Sequence, residues 1–183
     1  MRIATIGSGN VGGGLASRWE KAGHEVQTIG REGGDVSGAD AVLLAVPSAA
    51  IGDALESVSG LEGKTLIDAT NLVQGERPEG FDSLAAYAKE RSGAHVAKAF
   101  NSVFARLYDQ LGEQRERPSC LYCGDEEAKE TTAQLIRDAG YEPADAGGLE
   151  NAQALEDLVR KVWFTVSGST GPFFYRIAPP GEL

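Results

Sequence analysis

Residues 2–12 read RIATIGSGNVG, and this stretch decides the fold. Arg2–Ile6 has the pattern of a short buried strand, and Gly7, Ser8, Gly9, Asn10, Val11 and Gly12 then form G-x-G-x-x-G. Helical spacing follows over Val11–Ala22, with a stop at Gly23 and a second strand over Glu25–Ile29. Strand, glycine turn, helix and strand within about 30 residues turn a weak motif into a dinucleotide-binding fingerprint. Gly7 permits the tight turn, Gly9 has no Cβ and lets the backbone approach a pyrophosphate, and Gly12 lets the helix lie close on the strand. Backbone N–H groups from Gly9 through Gly12 point at the phosphate, with the positive end of the helix dipole behind them. The alternative is a glycine-rich turn without a ligand.

The end of the second strand bears on which dinucleotide binds. It reads Thr28-Ile29-Gly30-Arg31, without the carboxylate that would hold the adenine ribose hydroxyls of NAD. Arg31, helped by Thr28 or the Gly30 N–H, suits a 2′-phosphate and favours NADP. Glu32 and Asp35 follow and would repel that phosphate if they turned inward; Arg31 as a solvated loop charge is the competing reading.

Further along, strand and helix continue to alternate. Ala41–Val46 (AVLLAV) is a continuous apolar run of the kind a parallel sheet buries on both faces, and Pro47-Ser48 opens a helix to about Val58. Lys64–Asp68 and His95–Ala99 read as strands around a helix over Asp82–Arg91. Val103–Leu111 reads as helix, Ser119–Cys123 as strand, Glu126–Ala139 as an amphipathic helix stopped by Gly140, and Tyr141–Ala144 as a last strand. Leu149–Val166 is the longest helix, with Leu155, Leu158, Val159, Val162, Trp163 and Val166 on one stripe. The expectation is an α/β fold: a doubly wound, mostly parallel sheet of the NAD(P)-binding Rossmann type. No repeat or linker interrupts it, so residues 1–183 are expected to form a single dinucleotide-binding domain, with 149–183 its C-terminal helix and aromatic tail.

Composition limits the partners. Lys and Arg number 17 against 27 Asp and Glu, a formal charge of −10 that disfavours nucleic acid. No apolar run approaches the roughly 20 residues of a membrane span, so no membrane partner is expected. Met1 leads directly into the first strand rather than into a signal peptide, and a cytoplasmic location is expected. Cys120 and Cys123 lie on a strand, where positions three apart face opposite ways, so they read as two core cysteines rather than a redox or metal pair. Neither His24 nor His95 lies near them in sequence, and no metal ligand set emerges.

With these motifs in place, longer stretches become recognisable. MRIATIGSGNVGGGLASRWEKAGHEV, AVLLAVPSAAI, LIDATN, VAKAFNSVFA and CGDEEAKETTAQLIRDAGYEPADAGGLENAQALEDL together resemble the NADP oxidoreductases dependent on coenzyme F420, an 8-hydroxy-5-deazaflavin, from Met1 to about Leu158. The tail GPFFYRIAPPGEL also resembles members of that group, and the module resembles the reductase domain of membrane ferric reductases. The resemblance implies direct hydride transfer between NADP(H) and a deazaflavin co-substrate. It implies a pyrophosphate on Gly9, Asn10 and Val11 and a 2′-phosphate on Arg31. The nicotinamide half would cross Val46, Pro47 and Ser48, while Asn71 and residues Lys98 through Ser102 would flank the two rings. A homodimer is implied as well.

Both redox centres arrive with ligands, so the protein supplies alignment and exclusion of water. Lys98 and Asn101 are the catalytic candidates: Lys98 to favour negative charge on the reduced ring, with a solvated strand-end lysine as its alternative, and Asn101 alternatively as a cap for the next helix. The family usually carries a helix and a short strand after Arg31. Here about ten residues containing Gly30, Gly33, Gly34 and Gly38 stand in their place, trimming the sheet at one edge and weakening the adenine end. Arg106, Arg160, Lys161 and Arg176 are candidates for a basic patch facing an anionic acceptor. Gly171-Pro172-Phe173-Phe174-Tyr175 would fold back as a lid, join a partner subunit, or pack in the core. Two further functions stay open: NAD(P)H-dependent reduction of a flavin or another small acceptor, and a dinucleotide-binding sensor without catalysis.

Overall fold

The computed structural model describes residues 1–181; Glu182 and Leu183, the end of the tail segment named above, lie outside the described residues. In chain order the elements are β1 (Arg2–Ile6), α1 (Asn10–Lys21), β2 (Glu25–Ile29), β3 (Gly34–Asp35), β4 (Ala41–Leu44), α2 (Ile51–Glu56), β5 (Val58–Ser59) and β6 (Thr65–Asp68). They continue with α3 (Leu84–Ser92), β7 (His95–Ala99), β8 (Ser119–Gly124), α4 (Glu126–Asp138), β9 (Glu142–Asp145), α5 (Ala152–Leu158) and α6 (Phe164–Thr170). Seven strands form one sheet in the order β2-β1-β4-β6-β7-β8-β9. The apolar run of β4 is continuous because both its faces are covered. Ala41 and Leu43 pack with Leu15 and Trp19 of α1 and with Leu135 and Ile136 of α4, whereas Val42 and Leu44 pack with Ile51 of α2, Leu84 of α3 and Leu155 of α5. The Trp19 indole N–H donates to Leu135 O at 2.9 Å and locks α1 to α4 across this layer.

The sheet is mostly parallel, as expected, with one reversal: β8 runs antiparallel to β7, and β9 is parallel to β8. The cause is the connection. No helix crosses the sheet between β7 and β8; Ala105–Glu113 forms a 3-10 helix where an α-helix was expected over Val103–Leu111. An antiparallel return keeps its connection at one end of the sheet, so residues 100–118 stay at the carboxyl ends of the parallel strands. Tyr108 anchors this segment against α1, where a Cβ on Gly14 would lie 2.5 Å from its ring.

Strand β2 is the sheet edge, but the short segment after Arg31 is more than a deletion. Its β3 pairs with β5 as a separate two-stranded sheet. Gly33 makes this possible: it holds φ +74°, and a Cβ there would stand 2.0 Å from Ser57 O. Glycines that read as a trimmed edge thus build a backbone clip just after Arg31.

The C-terminal helix departs from one continuous stripe. A 3-10 turn over Leu149–Asn151 leads into α5, a π-helical turn occupies Val159–Trp163, and α6 follows. A wide π turn shifts the facing of everything after it. Leu155 and Val159 are buried, whereas Val162 and Val166 are 42% and 37% exposed.

Cys120 and Cys123 are free, buried, and on opposite faces of β8. Burial pushes both thiols up to about 12 from an ordinary 9.0, and it also raises the phenols of Tyr108, Tyr141 and Tyr175. Above pH 9 the unfolded chain releases protons that the folded chain keeps, so the stabilisation present below pH 9 is lost as pH rises toward 12. We expect urea-unfolding midpoints that hold from pH 7 to 9 and then fall. Native protein at pH 8 should resist thiol reagents, and labelling at the rate of a free cysteine would contradict this burial.

Candidate functional site

The glycine turn has the geometry its sequence implies. Gly7 takes φ +103° and a Cβ there would meet Ala45 O at 2.4 Å; one on Gly12 would stand 2.0 Å from Gly7 O. A Cβ on Gly9, by contrast, would meet nothing within 4 Å. Gly9 is the N-cap of α1 and no side chain caps that end, so the first N–H groups of the helix are available to an anion.

Two cavities meet at this turn. The first, about 580 Å³, is lined by Gly7 to Gly9, by Gly30 and Arg31 at the end of β2, and by Val46 and Pro47 beyond β4. Arg31 therefore lines the same cavity as the glycine turn. Two acidic groups accompany it: Asp53 lines the same cavity, and the Glu32 carboxylate folds back over Gly30, 2.5 Å from where a Cβ would project. Ser48 does not join them; it opens the turn into α2 and lines a separate hollow of about 350 Å³.

The second cavity, about 440 Å³, takes in Asn10 and Val11, Asn71 and Asn101, and Ser102 through Arg106. Asn71 Nδ2 donates to Asn101 O at 2.7 Å, and Asn101 Nδ2 donates to Asn71 Oδ1 and Leu155 O at 3.2 Å each. Asn101 Oδ1 is buried without a partner among the described residues. Asn101 does not cap a helix, as one reading had it: the next helical segment begins after Phe104 with no side-chain cap. Its orientation follows from Phe100, whose φ of +61° is left-handed. Such a conformation costs a non-glycine residue on the order of 1–3 kcal/mol, and the buried Phe100 ring, edge-on to Trp19 at 5.9 Å, holds it in place.

Lys98 is not brought to the cleft. Its ammonium is fully buried between Asp68 Oδ2 at 2.9 Å and Glu156 Oε1 at 3.1 Å. Glu156 also accepts from Arg77 Nε at 3.3 Å and from the Leu84 N–H at 2.8 Å, and Arg77 Nη2 reaches Asp157 at 2.8 Å. Two basic and three acidic groups thus lock α5 to β6, β7 and the start of α3. The network is tied to Asn101 through α5: Glu156 follows Leu155, whose carbonyl accepts from Asn101 Nδ2. Asp68, Glu156 and Arg77 were not singled out from sequence.

Trp163 and Phe164 line the second cavity beside Phe104, and further aromatics of the C-terminal segment pack behind Phe104 and Trp163. Phe173 packs edge-on to Phe104 at 5.1 Å and to Trp163 at 5.4 Å, and Trp163 packs on Tyr175 at 5.4 Å. Trp163 ends the π turn, and its indole N–H donates to Ser102 O at 3.0 Å. Of the four candidate basic residues Arg106 lines the cleft; Lys161 pairs with Asp157 at 2.9 Å, and Arg176 donates to Arg117 O. His24 is held by Asp138 at 2.9 Å and the N-terminal amine, away from the cleft. Among the described residues no group of three or more His, Cys, Asp or Glu is arranged to hold a metal ion, and no helix is long and apolar enough to cross a membrane.

Comparison with known proteins places this site in context. No family model matches the chain. The F420-dependent NADP reductase of Methanothermobacter thermautotrophicus is 31% identical over 200 residues, covering 86% of this chain and 86% of that protein. Rat Metalloreductase STEAP3 is 36% identical over 100 residues, 54% of this chain, and the chain spans only 20% of that protein's length. A solved structure of a candidate F420-dependent NADP reductase from Arthrobacter sp. FB24 superposes with a TM-score of 0.82 at 26% identity, over 98% of this chain and 100% of that one.

Proposed function

The chain belongs to the F420-dependent NADP reductase family, and on that premise we propose that it transfers hydride between NADP(H) and an 8-hydroxy-5-deazaflavin. The observation that carries this reading is the pair of cavities meeting at one uncapped helix start. The first accepts the adenine half of the dinucleotide, with Gly9, Asn10 and Val11 at the pyrophosphate and Arg31 at the 2′-phosphate. The second holds the nicotinamide against a second flat ring. The open space over Gly9 and the unpartnered Asn101 Oδ1 fit these ligands, since a carboxamide N–H₂ is the donor that such a buried acceptor lacks.

Hydride transfer needs little from side chains. The ligands bring both redox centres, and the protein aligns them and excludes water. Asn71 and Asn101 hold each other and α5, so the ring-facing amides are fixed before a ligand binds. Phe104, Trp163 and Phe164 offer flat apolar surface on the wall of this cavity and would keep solvent from the reacting carbons.

Mixing the protein with NADPH and oxidised deazaflavin tests the reading: the deazaflavin absorbance band should bleach as NADPH is consumed. Bleaching of a flavin alone would support a second reading, reduction of another acceptor, which the match to the rat metalloreductase favours. Nucleotide binding without turnover of any acceptor would indicate a sensor.

Arg31→Ala should weaken NADPH about tenfold to hundredfold, the worth of a charged hydrogen bond, and leave NADH unchanged. Equal NADPH and NADH affinities in the wild type would contradict the phosphate assignment. The reading extends to a cytoplasmic homodimer. Free buried cysteines suit a reducing compartment, and the exposed Val162, Phe164, Val166 and Ile177 offer apolar surface to a second copy. Sedimentation velocity reads the mass.

A further inference from the structure

Ser102 lies on the cleft wall in a hydrogen-bond chain with Tyr175 and the Leu121 N–H. Tyr175 Oη accepts the Leu121 N–H at 3.0 Å and lies 2.7 Å from Ser102 Oγ. A phenol oxygen that already accepts an N–H has its own proton left to give, and Ser102 Oγ is its other partner among the described residues. The arrangement that gives this phenol proton an acceptor makes Tyr175 the donor in that pair. The Ser102 proton then has no acceptor within the described protein, although the residue is only 1% exposed and lines the cleft. The pair is held from both sides: Trp163 donates to the Ser102 carbonyl, and the Ser119 N–H donates to the Tyr175 carbonyl at 2.8 Å. Burial keeps the Tyr175 phenol well above its usual range, so it stays a donor across the working pH.

We propose that Tyr175 is a positioning residue that presents the Ser102 hydroxyl as a hydrogen-bond donor to the cleft, and that Ser102 recognises the carbonyl-bearing pyrimidine edge of the deazaflavin. The inference rests on the function proposed above. The second ring is the partner because the C-terminal segment holds Ser102 beside Phe104, Trp163 and Pro172, whereas the nicotinamide half enters past the glycine turn at Asn10 and Val11. A fixed donor at that edge favours the negative charge that gathers there when hydride arrives. A deazaflavin offers this edge as carbonyl and ring-nitrogen acceptors; a purely hydrocarbon ring would leave the donor unpaired.

The test is a set of binding titrations on the full chain, following deazaflavin fluorescence and, separately, NADPH fluorescence. Ser102→Ala and Tyr175→Phe should each weaken deazaflavin about five- to tenfold, the worth of one neutral hydrogen bond. The double variant should lose no more than either single one, because the two hydroxyls act as a unit. NADPH affinity should hold in all three, and in steady state kcat should fall while KM for NADPH stays. Tyr175→Phe keeps the ring against Trp163; if the unpaired Leu121 N–H unfolds it, Ser102→Ala alone still reads the donor. Unchanged deazaflavin affinity in Ser102→Ala, or additive losses in the double variant, would overturn the proposal while leaving the function intact. A wild type that binds NADPH but no deazaflavin would overturn the function as well.

Discussion

Gly9→Asp leaves the protein folded and removes dinucleotide binding. Gly9 sits at φ −69°, an ordinary angle for any residue, and a side chain there meets no atom within 4 Å. Aspartate is moreover a better N-cap than glycine by a few tenths of a kcal/mol, so α1 gains rather than loses. The new carboxylate then takes the helix N–H groups and stands in the space a pyrophosphate needs. Like charges about 4 Å apart at a partly exposed site repel by roughly 4 kcal/mol, and more than two orders of magnitude in affinity follow. Isothermal titration with NADPH, beside a thermal melt, separates the two effects. The contrasting variant is Gly12→Val. Its Cβ would stand 2.0 Å from Gly7 O, so that variant should lose stability by about 3 kcal/mol or more. Tight binding by Gly9→Asp would mean that the phosphate does not sit on this helix end.

The second large effect is on stability. Lys98→Met leaves Asp68 with no cation and only the Thr70 N–H, and Glu156 with Arg77 and the Leu84 N–H, both carboxylates fully buried. Breaking a buried ion pair from one side typically costs about 3–5 kcal/mol, a large fraction of the stability of a chain this size. Urea unfolding should show that loss in the midpoint with an unchanged slope. Because the network holds α5, whose Leu155 carbonyl accepts from Asn101, the residual folded protein should also bind deazaflavin more weakly. A loss below about 1 kcal/mol would show that the network contributes little and that α5 is held by Leu155 and Val159 alone.

Much of the framework was legible because it rests on short-range signals. The strands Arg2–Ile6, Glu25–Ile29 and His95–Ala99 are compact runs bounded by glycines or charges, and they occur where the pattern places them. Strand direction is a different matter. The pattern of Ser119–Cys123 says strand but carries no sign of its antiparallel course, which depends on a connection that never crosses the sheet. Periodicity likewise continues past Val159 although the backbone widens into a π turn, so Val162 and Val166 read as core and end exposed. The shape of the glycine turn was legible because backbone geometry alone defines it. Lys98 was misread because its partner Glu156 is far away in sequence. A signal existed: a lysine inside a strand buried on both faces needs a counter-charge, and Glu156 lies beside Leu155 on an otherwise apolar helix face. Nothing in the sequence announces the left-handed Phe100 that aims Asn101.

In the function proposed for this chain, the two cavities hold two rings in direct contact, so that hydride crosses without an intermediary. NADPH carrying deuterium on the transferable position of nicotinamide carbon 4 tests it most directly. Incubated with the protein and oxidised deazaflavin in ordinary water, it should deliver one deuterium to carbon 5 of the deazaflavin per turnover, read by mass spectrometry. Reduced deazaflavin that carries only solvent hydrogen, or NADPH that binds tightly and leaves the deazaflavin oxidised, would contradict the account.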